Sequence, residues 1–189
     1  MQKKFVIMTV GKTHSGKTTF ACRVNDFFPD SFVLDSDVIS MFLRENFPLI
    51  HLSPINREIG HNFDFNKPQL QYGIFKTILS FSLKNGFNAI LSNSNTRKEA
   101  RKDLIKFVRK YGIKVIMVYF NISEEILIER IKKANKSTAV LNSSKDFYVL
   151  LEKQRKIFEP PDKKEADYFF EIKDEEDISK VLKNIKRYY

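Results

Sequence analysis

The chain has 189 residues, of which 42% are hydrophobic and 30% charged, a composition typical of a globular domain and not of a disordered chain. Its single cysteine excludes an intramolecular disulfide and suits a reducing cytosol, and no apolar run reaches the roughly 18 residues that span a membrane. We therefore expect one cytoplasmic domain over residues 1–189 with no membrane partner. The formal net charge of +10 indicates either a polyanionic partner such as nucleic acid or a compositional bias without function.

Predicted strands and helices alternate from the start of the chain. The apolar run Phe5–Val10 predicts a buried strand that ends at Gly11, and the helix that follows the glycine-rich turn ends before Pro29. Ser31–Leu34 predicts a second strand, and residues 38–47 predict a second helix that stops before Pro48.

The segment 48–67 is irregular and contains two prolines, Gly60, His51 and His61. Loops of this length usually carry a function, so this segment, with Arg57, is a candidate wall for a substrate; a connector without function is the alternative. The two histidines have no acidic or cysteine partners at ligand spacing, which favours solvated loop histidines over a metal site.

The alternation continues through the second half of the chain. A helix over 68–84 precedes a strand at 88–92, Thr96 opens a helix as a capping box with Glu99, and residues 113–120 predict a strand. Further elements are a helix after Ser123, a polar stretch, a helix to about residue 158, the strand Tyr168–Ile172 and a closing helix. This order predicts an α/β fold in which helices cover both faces of a five-stranded parallel sheet.

One motif carries specific chemistry, because it fits the pattern G-x-x-x-x-G-K-[ST] between a predicted strand and a predicted helix. Its glycines let the backbone wrap a phosphate, and successive amides with the helix N-terminus form an anion site. Lys17 can reach β- and γ-phosphate oxygens, and the Thr18 hydroxyl is a hard oxygen ligand that suits Mg²⁺. The predicted nucleotide-binding residues are Gly11, Lys12, Thr13, His14, Ser15, Gly16, Lys17, Thr18 and Thr19. Lys12 and His14 are alternatively exposed loop residues.

Two aspartates follow the second strand, at the edge of the sheet where the ligand crevice is expected. Asp37 is the candidate group that engages an acceptor hydroxyl, although its place before the predicted helix also makes it a cap. For Asp35 we expect capping or positioning. After the third strand, Asn93 stands where an acidic residue directed at Mg²⁺ is often found.

Cations elsewhere are candidates for binding anions. Arg97 and Arg101 face either an anionic substrate or solvent, and Arg130, before the polar stretch, is expected to stabilise a transferring phosphoryl group. Residues of about 132–145 form a predicted lid. For Cys22, inside the first helix, we expect a packing role.

Together these residues resemble the P-loop kinase superfamily, most closely phage-type polynucleotide 5′-hydroxyl kinase domains and related bacterial kinases, with zeta-toxin-like kinases more distant. The resemblance covers most of the chain. It implies a three-layer α/β/α sandwich of the P-loop NTPase type with strand order 2-3-1-4-5. It places Asp37 at the acceptor hydroxyl, matches Asn93-Ser94-Asn95 to a motif after the third strand, and matches Arg101 and Arg130 to functional arginines. A second lid arginine is missing, and Lys133 or Lys136 would replace it.

These features predict an ATP-dependent kinase with ATP and Mg²⁺ as cofactors, in which Lys17, Asp37 and Arg130 are catalytic. The acceptor is a polynucleotide, a nucleotide or a small hydroxyl-bearing metabolite. The alternatives are a nucleotide-dependent regulator or nucleic-acid-binding protein without catalysis, favoured by Asn93 and the basic charge, and simple ATP hydrolysis.

Overall fold

The computed structural model describes residues 4–46, 70–133 and 147–188. Within these ranges five strands alternate with seven helices. The strands are β1 (Phe5–Val10), β2 (Ser31–Leu34), β3 (Asn88–Leu91), β4 (Lys114–Phe120) and β5 (Tyr168–Ile172). The helices are α1 (Lys17–Phe27), α2 (Ser36–Asn46), α3 (Leu70–Lys84), α4 (Lys98–Arg109), α5 (Glu124–Lys133), α6 (Phe147–Ile157) and α7 (Glu175–Tyr188).

All five strands form one parallel sheet in the order β2-β3-β1-β4-β5. In its central register Ile7 lies opposite Ile90 of β3 and Ile116 of β4. The fold class and the strand order predicted from the resemblance are therefore confirmed. Among the residues described, no helix is both long and apolar enough to cross a membrane.

Helices pack on both faces of the sheet, which gives two separate cores. Successive side chains of a strand point to opposite faces, so Phe5 and Ile7 of β1 join one core while Val6, Met8 and Val10 join the other. The first core contains apolar residues of α1, α5, α6 and α7, and the second contains those of α2, α3 and α4. β1 is buried along its whole length, so the loop that follows it starts from a rigid base.

Two helix caps differ from their predictions. α2 begins at Ser36, and the Asp35 carboxylate caps it by accepting a hydrogen bond from the Asp37 amide at 2.8 Å. Asp35 is therefore the cap, as expected, whereas Asp37 lies in the first turn, so its predicted capping position is wrong. The capping box at Thr96 is also wrong, because the Lys98 amide donates to the distant Glu159 carboxylate at 2.5 Å.

The predicted packing role of Cys22 is wrong as well, since its side chain lies on the exposed face of α1. Phe20, Ala21 and Val24 are the residues of that helix that face the core. Helical spacing brings these three to one side of α1 and turns residue 22 away from it.

Candidate phosphate-binding and acceptor sites

The loop over residues 11–16, between β1 and α1, has the tight geometry that the motif predicts. A side chain at Gly11 would place its Cβ 2.8 Å from Ser15 Oγ and 2.9 Å from Phe120 Cβ, so only glycine fits without displacement. Gly16 has a φ of 97°, in the left-handed region that glycine enters without steric cost. His14 also has a positive φ, 57°. We call residues 11–18 the phosphate loop.

Lys17 points into the phosphate loop and is 9% exposed. Its ammonium donates hydrogen bonds to the Lys12 carbonyl at 2.6 Å and to Ser15 Oγ at 3.1 Å. Burial lowers the pKa of Lys17 to about 8, while the charges of Asp37 and Asp35 act in the opposite direction. The loop therefore holds a partly desolvated cation beside two carboxylates, an arrangement that an anionic ligand would stabilise.

Three side chains from later elements hold the outer side of the phosphate loop. Lys12 forms an ion pair with Glu124 at 2.8 Å, the Thr13 amide donates to the Gln154 side chain at 2.6 Å, and Arg130 Nη1 donates to the His14 carbonyl at 3.2 Å. The alternative of an exposed loop residue is thus wrong for Lys12. Its hydrogen bond to Glu124, with that of Arg155, lowers the pKa of the Glu124 carboxyl.

Arg130 lies beside the start of α1. Its guanidinium lies 3.6 Å from where a Cβ on Gly16 would be. The pKa of the neighbouring His14 is lowered, first by burial and then by the charges of Lys17 and Arg130. Lys133, one of the two substitutes for the missing lid arginine, instead pairs with Glu129 on the surface of α5.

A cavity of about 410 Å³ opens beside the phosphate loop. One wall is formed by residues 14–19 and Arg130, so the cavity includes the exposed hydroxyl of Thr18. The opposite wall was not predicted from the sequence, because it is formed by residues that the fold brings to the cavity from the ends of β4 and β5. That wall consists of Ile122, Ile172, Asp174, Glu175 and Ile178.

Asp35 and Asp37 follow the carboxyl end of β2, near Lys17. Burial raises the pKa of the Asp35 carboxyl, although hydrogen bonds from the Asp37 and Val38 amides and the charge of Lys17 oppose this shift. Both carboxylates are close enough to act electrostatically on Lys17. The two predicted acidic residues and the predicted lysine are therefore brought together.

Asn93 is buried at the end of β3 with its side chain turned to α2. Its Oδ1 accepts hydrogen bonds at 2.9 Å from both the amide and the hydroxyl of Ser36. A backbone amide can only donate, so these bonds fix which end of the carboxamide is oxygen. Within the described part of the chain, Nδ2 of Asn93 has no hydrogen-bond partner. The oxygen that could have met the water shell of a cation is thus already engaged.

A second and smaller cavity, of about 170 Å³, lies at the ends of β2 and β3. Asp37 lines it together with Asn93 and Arg97. Its other walls are Ser36, Ser94, Asn95, Thr96, Ala100 and Ile157. This cavity places a carboxylate, a guanidinium and several hydroxyl and amide groups within one small space.

Arg101 neither faces an open site nor lies on a solvated surface, so both interpretations of it are wrong. It is completely buried, and its guanidinium forms a forked ion pair with Glu165 at 2.7 and 3.0 Å. The remaining donors bind the carbonyls of Asn95, Thr96 and Glu159. Arg101 therefore joins the segment before α4 to the segment between α6 and β5 and is not available to a substrate.

Several predicted residues lie outside the described ranges. These are the segment 48–67 with His51, Arg57 and His61, the greater part of the predicted lid, and Lys136.

The family model described as an AAA domain matches residues 6–161. No curated protein matches the sequence.

Solved structures of similar fold cover nearly the whole chain. A candidate kinase from Chloroflexus aurantiacus has a TM-score of 0.70 at 16% identity, covering 100% of this chain and 97% of the other. The Mycobacterium tuberculosis APS kinase CysC, in complex with AMPPNP and APS, has a TM-score of 0.60 at 15% identity, with 98% and 99% covered. Chaetomium thermophilum Kti12, in complex with ADP-AlF3, has a TM-score of 0.64 at 15% identity, with 96% and 97% covered.

At these identities the structures support likeness of fold, and the resemblance to the P-loop kinase superfamily is confirmed at that level. The match includes the phosphate loop, Arg130 and every residue that lines the smaller cavity, and it ends before residues 172–178 of the larger cavity. The chain belongs to the AAA-domain family of P-loop proteins.

Proposed function

We propose that this protein is an ATP-dependent phosphotransferase that moves the γ-phosphoryl group to an acceptor hydroxyl. One observation carries the proposal: the buried Lys17 lines a cavity of about 410 Å³ beside the phosphate loop and is within electrostatic reach of the two carboxylates at the end of β2. Transfer needs two substrates that meet at one cation. The complexes of the similar folds with AMPPNP and APS, and with ADP-AlF3, support a nucleotide in the larger cavity.

The nucleotide side supplies binding and charge. The triphosphate lies against the amides of the phosphate loop and the N-terminus of α1, where it replaces the Lys12 carbonyl as a partner of the Lys17 ammonium. Arg130 approaches Gly16 from the other side. Both cations, Lys17 and Arg130, can stabilise the negative charge that develops on the transferring group. The protein therefore needs to contribute little covalent chemistry.

The residues near Lys17 fit a magnesium ion. Mg²⁺ keeps several waters and binds proteins through one or two oxygen groups together with substrate phosphates, and Thr18 offers a hydroxyl while Asp35 offers a carboxylate near Lys17. When bound, the ion neutralises charge on the β- and γ-phosphates. Asn93 does not fit a direct role, because its oxygen accepts two hydrogen bonds from Ser36.

The acceptor side supplies orientation. Asp37 lines the smaller cavity, so its carboxylate accepts the hydrogen bond of an acceptor hydroxyl. It takes the hydroxyl proton as the acceptor oxygen bonds to the γ-phosphorus and the bond from that phosphorus to the β–γ bridging oxygen breaks, which releases ADP. Arg97 in the same cavity can hold an anionic group of that acceptor. A polynucleotide end and a small metabolite both satisfy these contacts.

A second candidate function is a nucleotide-dependent regulator that binds ATP without transferring phosphate. The observation that favours it is Asn93, an amide with an engaged oxygen at the end of β3.

The experiment is a transfer screen with γ-labelled ATP and Mg²⁺ across oligonucleotides, nucleosides, sugars and aminoglycoside antibiotics. We expect label on one acceptor class. Tight ATP binding in calorimetry with no label on any acceptor would support the regulator, and phosphate release that no acceptor accelerates would indicate simple hydrolysis.

A further inference from the structure

We infer that Gln154 is a positioning residue that holds the phosphate loop and the acceptor-side loop, residues 92–97 between β3 and α4, in one fixed geometry. The role assigned to the two loops rests on the proposed function, whereas the contacts of Gln154 stand without it. Neither the sequence analysis nor the family assignment points to this residue, which lies near the end of α6, 141 positions from Thr13.

Gln154 is buried, with 8% of its surface exposed, and both ends of its carboxamide are bonded. Oε1 accepts a hydrogen bond from the Thr13 amide at 2.6 Å, and Nε2 donates to Ser94 Oγ at 3.2 Å. The backbone amide must be the donor, which fixes the orientation of the carboxamide. A buried amide is costly unless its polar atoms are paired, so the position is built for these two partners.

The bonds of Gln154 close a circuit between the two loops. The Gly11 amide donates to the Ser94 carbonyl at 3.0 Å, and the Ser94 hydroxyl accepts from Gln154, which in turn holds Thr13. The circuit thus joins the start of the phosphate loop to the segment that lines the smaller cavity. Leu151, one turn earlier on α6, belongs to the apolar core and holds the helix in place.

This contact divides the amides of the phosphate loop into two groups. The Thr13 amide is turned to Gln154 and cannot simultaneously donate to a phosphate with good geometry. The Ser15 amide donates to the Lys12 carbonyl at 3.4 Å, and the first-turn amides of α1, which have no acceptor within the helix, remain for the ligand. Without Gln154 the Thr13 amide would lose its buried partner, and the loop would leave the curvature that suits a triphosphate.

The test replaces Gln154 by leucine, which keeps most of the side-chain volume and removes both bonds. Lys153→Leu is the matched control, because it introduces the same residue at the exposed neighbouring position of α6. We expect Gln154→Leu to raise the dissociation constant of ATP about tenfold, a loss of about 1.4 kcal/mol, and to change that of AMP less than twofold, because AMP has no β- or γ-phosphate. Lys153→Leu should change neither.

Hydrogen exchange of the ligand-free protein gives a readout that does not depend on nucleotide. The Thr13 amide should exchange about tenfold faster in Gln154→Leu than in Lys153→Leu. Equal exchange in the two variants would overturn the inference, as would an equal loss of ATP and AMP affinity, which indicates general damage to the fold. Faster exchange of the Thr13 amide together with unchanged ATP affinity would show that Gln154 has only a structural role, and this result would also overturn the inference.

Ser94→Ala tests the connection between the loops. Ser94→Ala alone should weaken ATP binding about threefold, and in Gln154→Leu it should add almost nothing, because the bond is already lost. Full additivity would contradict the circuit. If the wild-type protein itself failed to bind ATP, the proposed function would fall, and the exchange experiment would still decide whether Gln154 positions Thr13.

Discussion

The two cavities are built in different ways. The wall of the larger cavity that would meet phosphate comes mainly from consecutive residues, 14–19, whose conformation follows from two glycines and a helix start. The smaller cavity is assembled from the ends of β2 and β3 and from α6, so its residues are distant in sequence. Under the proposed function, the shape of the phosphate-contacting wall follows mainly from local sequence and is held from outside by Arg130 and Gln154, whereas recognition of the acceptor depends on the whole fold.

The largest expected effect is that of Lys17→Ala on the nucleotide side. Loss of the ammonium should lower phosphoryl transfer at least about 1,000-fold, and the exposed Lys132→Ala on α5 is the control. Because burial lowers the pKa of Lys17, removal of this cation should at the same time leave the ligand-free fold as stable as before or more stable, which thermal unfolding measures. Retained ATP consumption in Lys17→Ala would show that the phosphate loop is not the site.

Asp37→Asn tests the acceptor side alone. The amide cannot take the proton of the acceptor, so kcat should fall about 100-fold while the dissociation constant of ATP stays within about twofold. The control is Asp26→Asn, an exposed aspartate of α1. A fall in ATP affinity equal to the fall in kcat would mean that Asp37 belongs to the nucleotide side.

Asn93→Asp tests whether a carboxylate at the end of β3 strengthens the binding of Mg²⁺. A carboxylate can keep both hydrogen bonds from Ser36 and offers a second oxygen in place of the unpartnered amide nitrogen. The Mg²⁺ concentration for half-maximal activity should therefore fall about tenfold. Asn25→Asp, on the exposed face of α1, should leave this Mg²⁺ concentration unchanged. An unchanged Mg²⁺ concentration in Asn93→Asp would show that residue 93 does not influence the magnesium site.

The smallest effect is that of pH on nucleotide binding. The pKa of Lys17 is about 8 in the ligand-free protein, and ATP favours the protonated ammonium, so affinity should be constant near pH 7 and fall by up to about tenfold per unit above pH 8. In that same range the ligand-free fold should gain stability as pH rises, because the unfolded chain still binds the proton. Calorimetric titrations at pH 7, 8 and 9 measure the first effect, and a flat profile would contradict it.

Sequence reasoning predicted the local features well. The tight turn at Gly11 and the convergence of Lys17 with Asp35 and Asp37 follow from short patterns and from the rule that parallel strands end at one edge of a sheet. The strand order was predicted from the resemblance to the P-loop kinase superfamily.

The features that escaped it depend on contacts between distant residues. Arg101 seemed available to a substrate because its partner, Glu165, lies 64 positions away. Gln154 and Glu159, which caps α4, were not predicted for the same reason: each contacts a residue that is distant in the sequence. No spacing within one element marks such residues, because their roles arise only when β5 and the chain before it return to the site.

The central claim is most directly tested by following the γ-phosphate of labelled ATP in the presence and absence of the acceptor found in the screen. The account predicts that label enters the acceptor in proportion to ATP consumed and that the acceptor accelerates consumption. Label released only as inorganic phosphate, at a rate that the acceptor does not change, would contradict it.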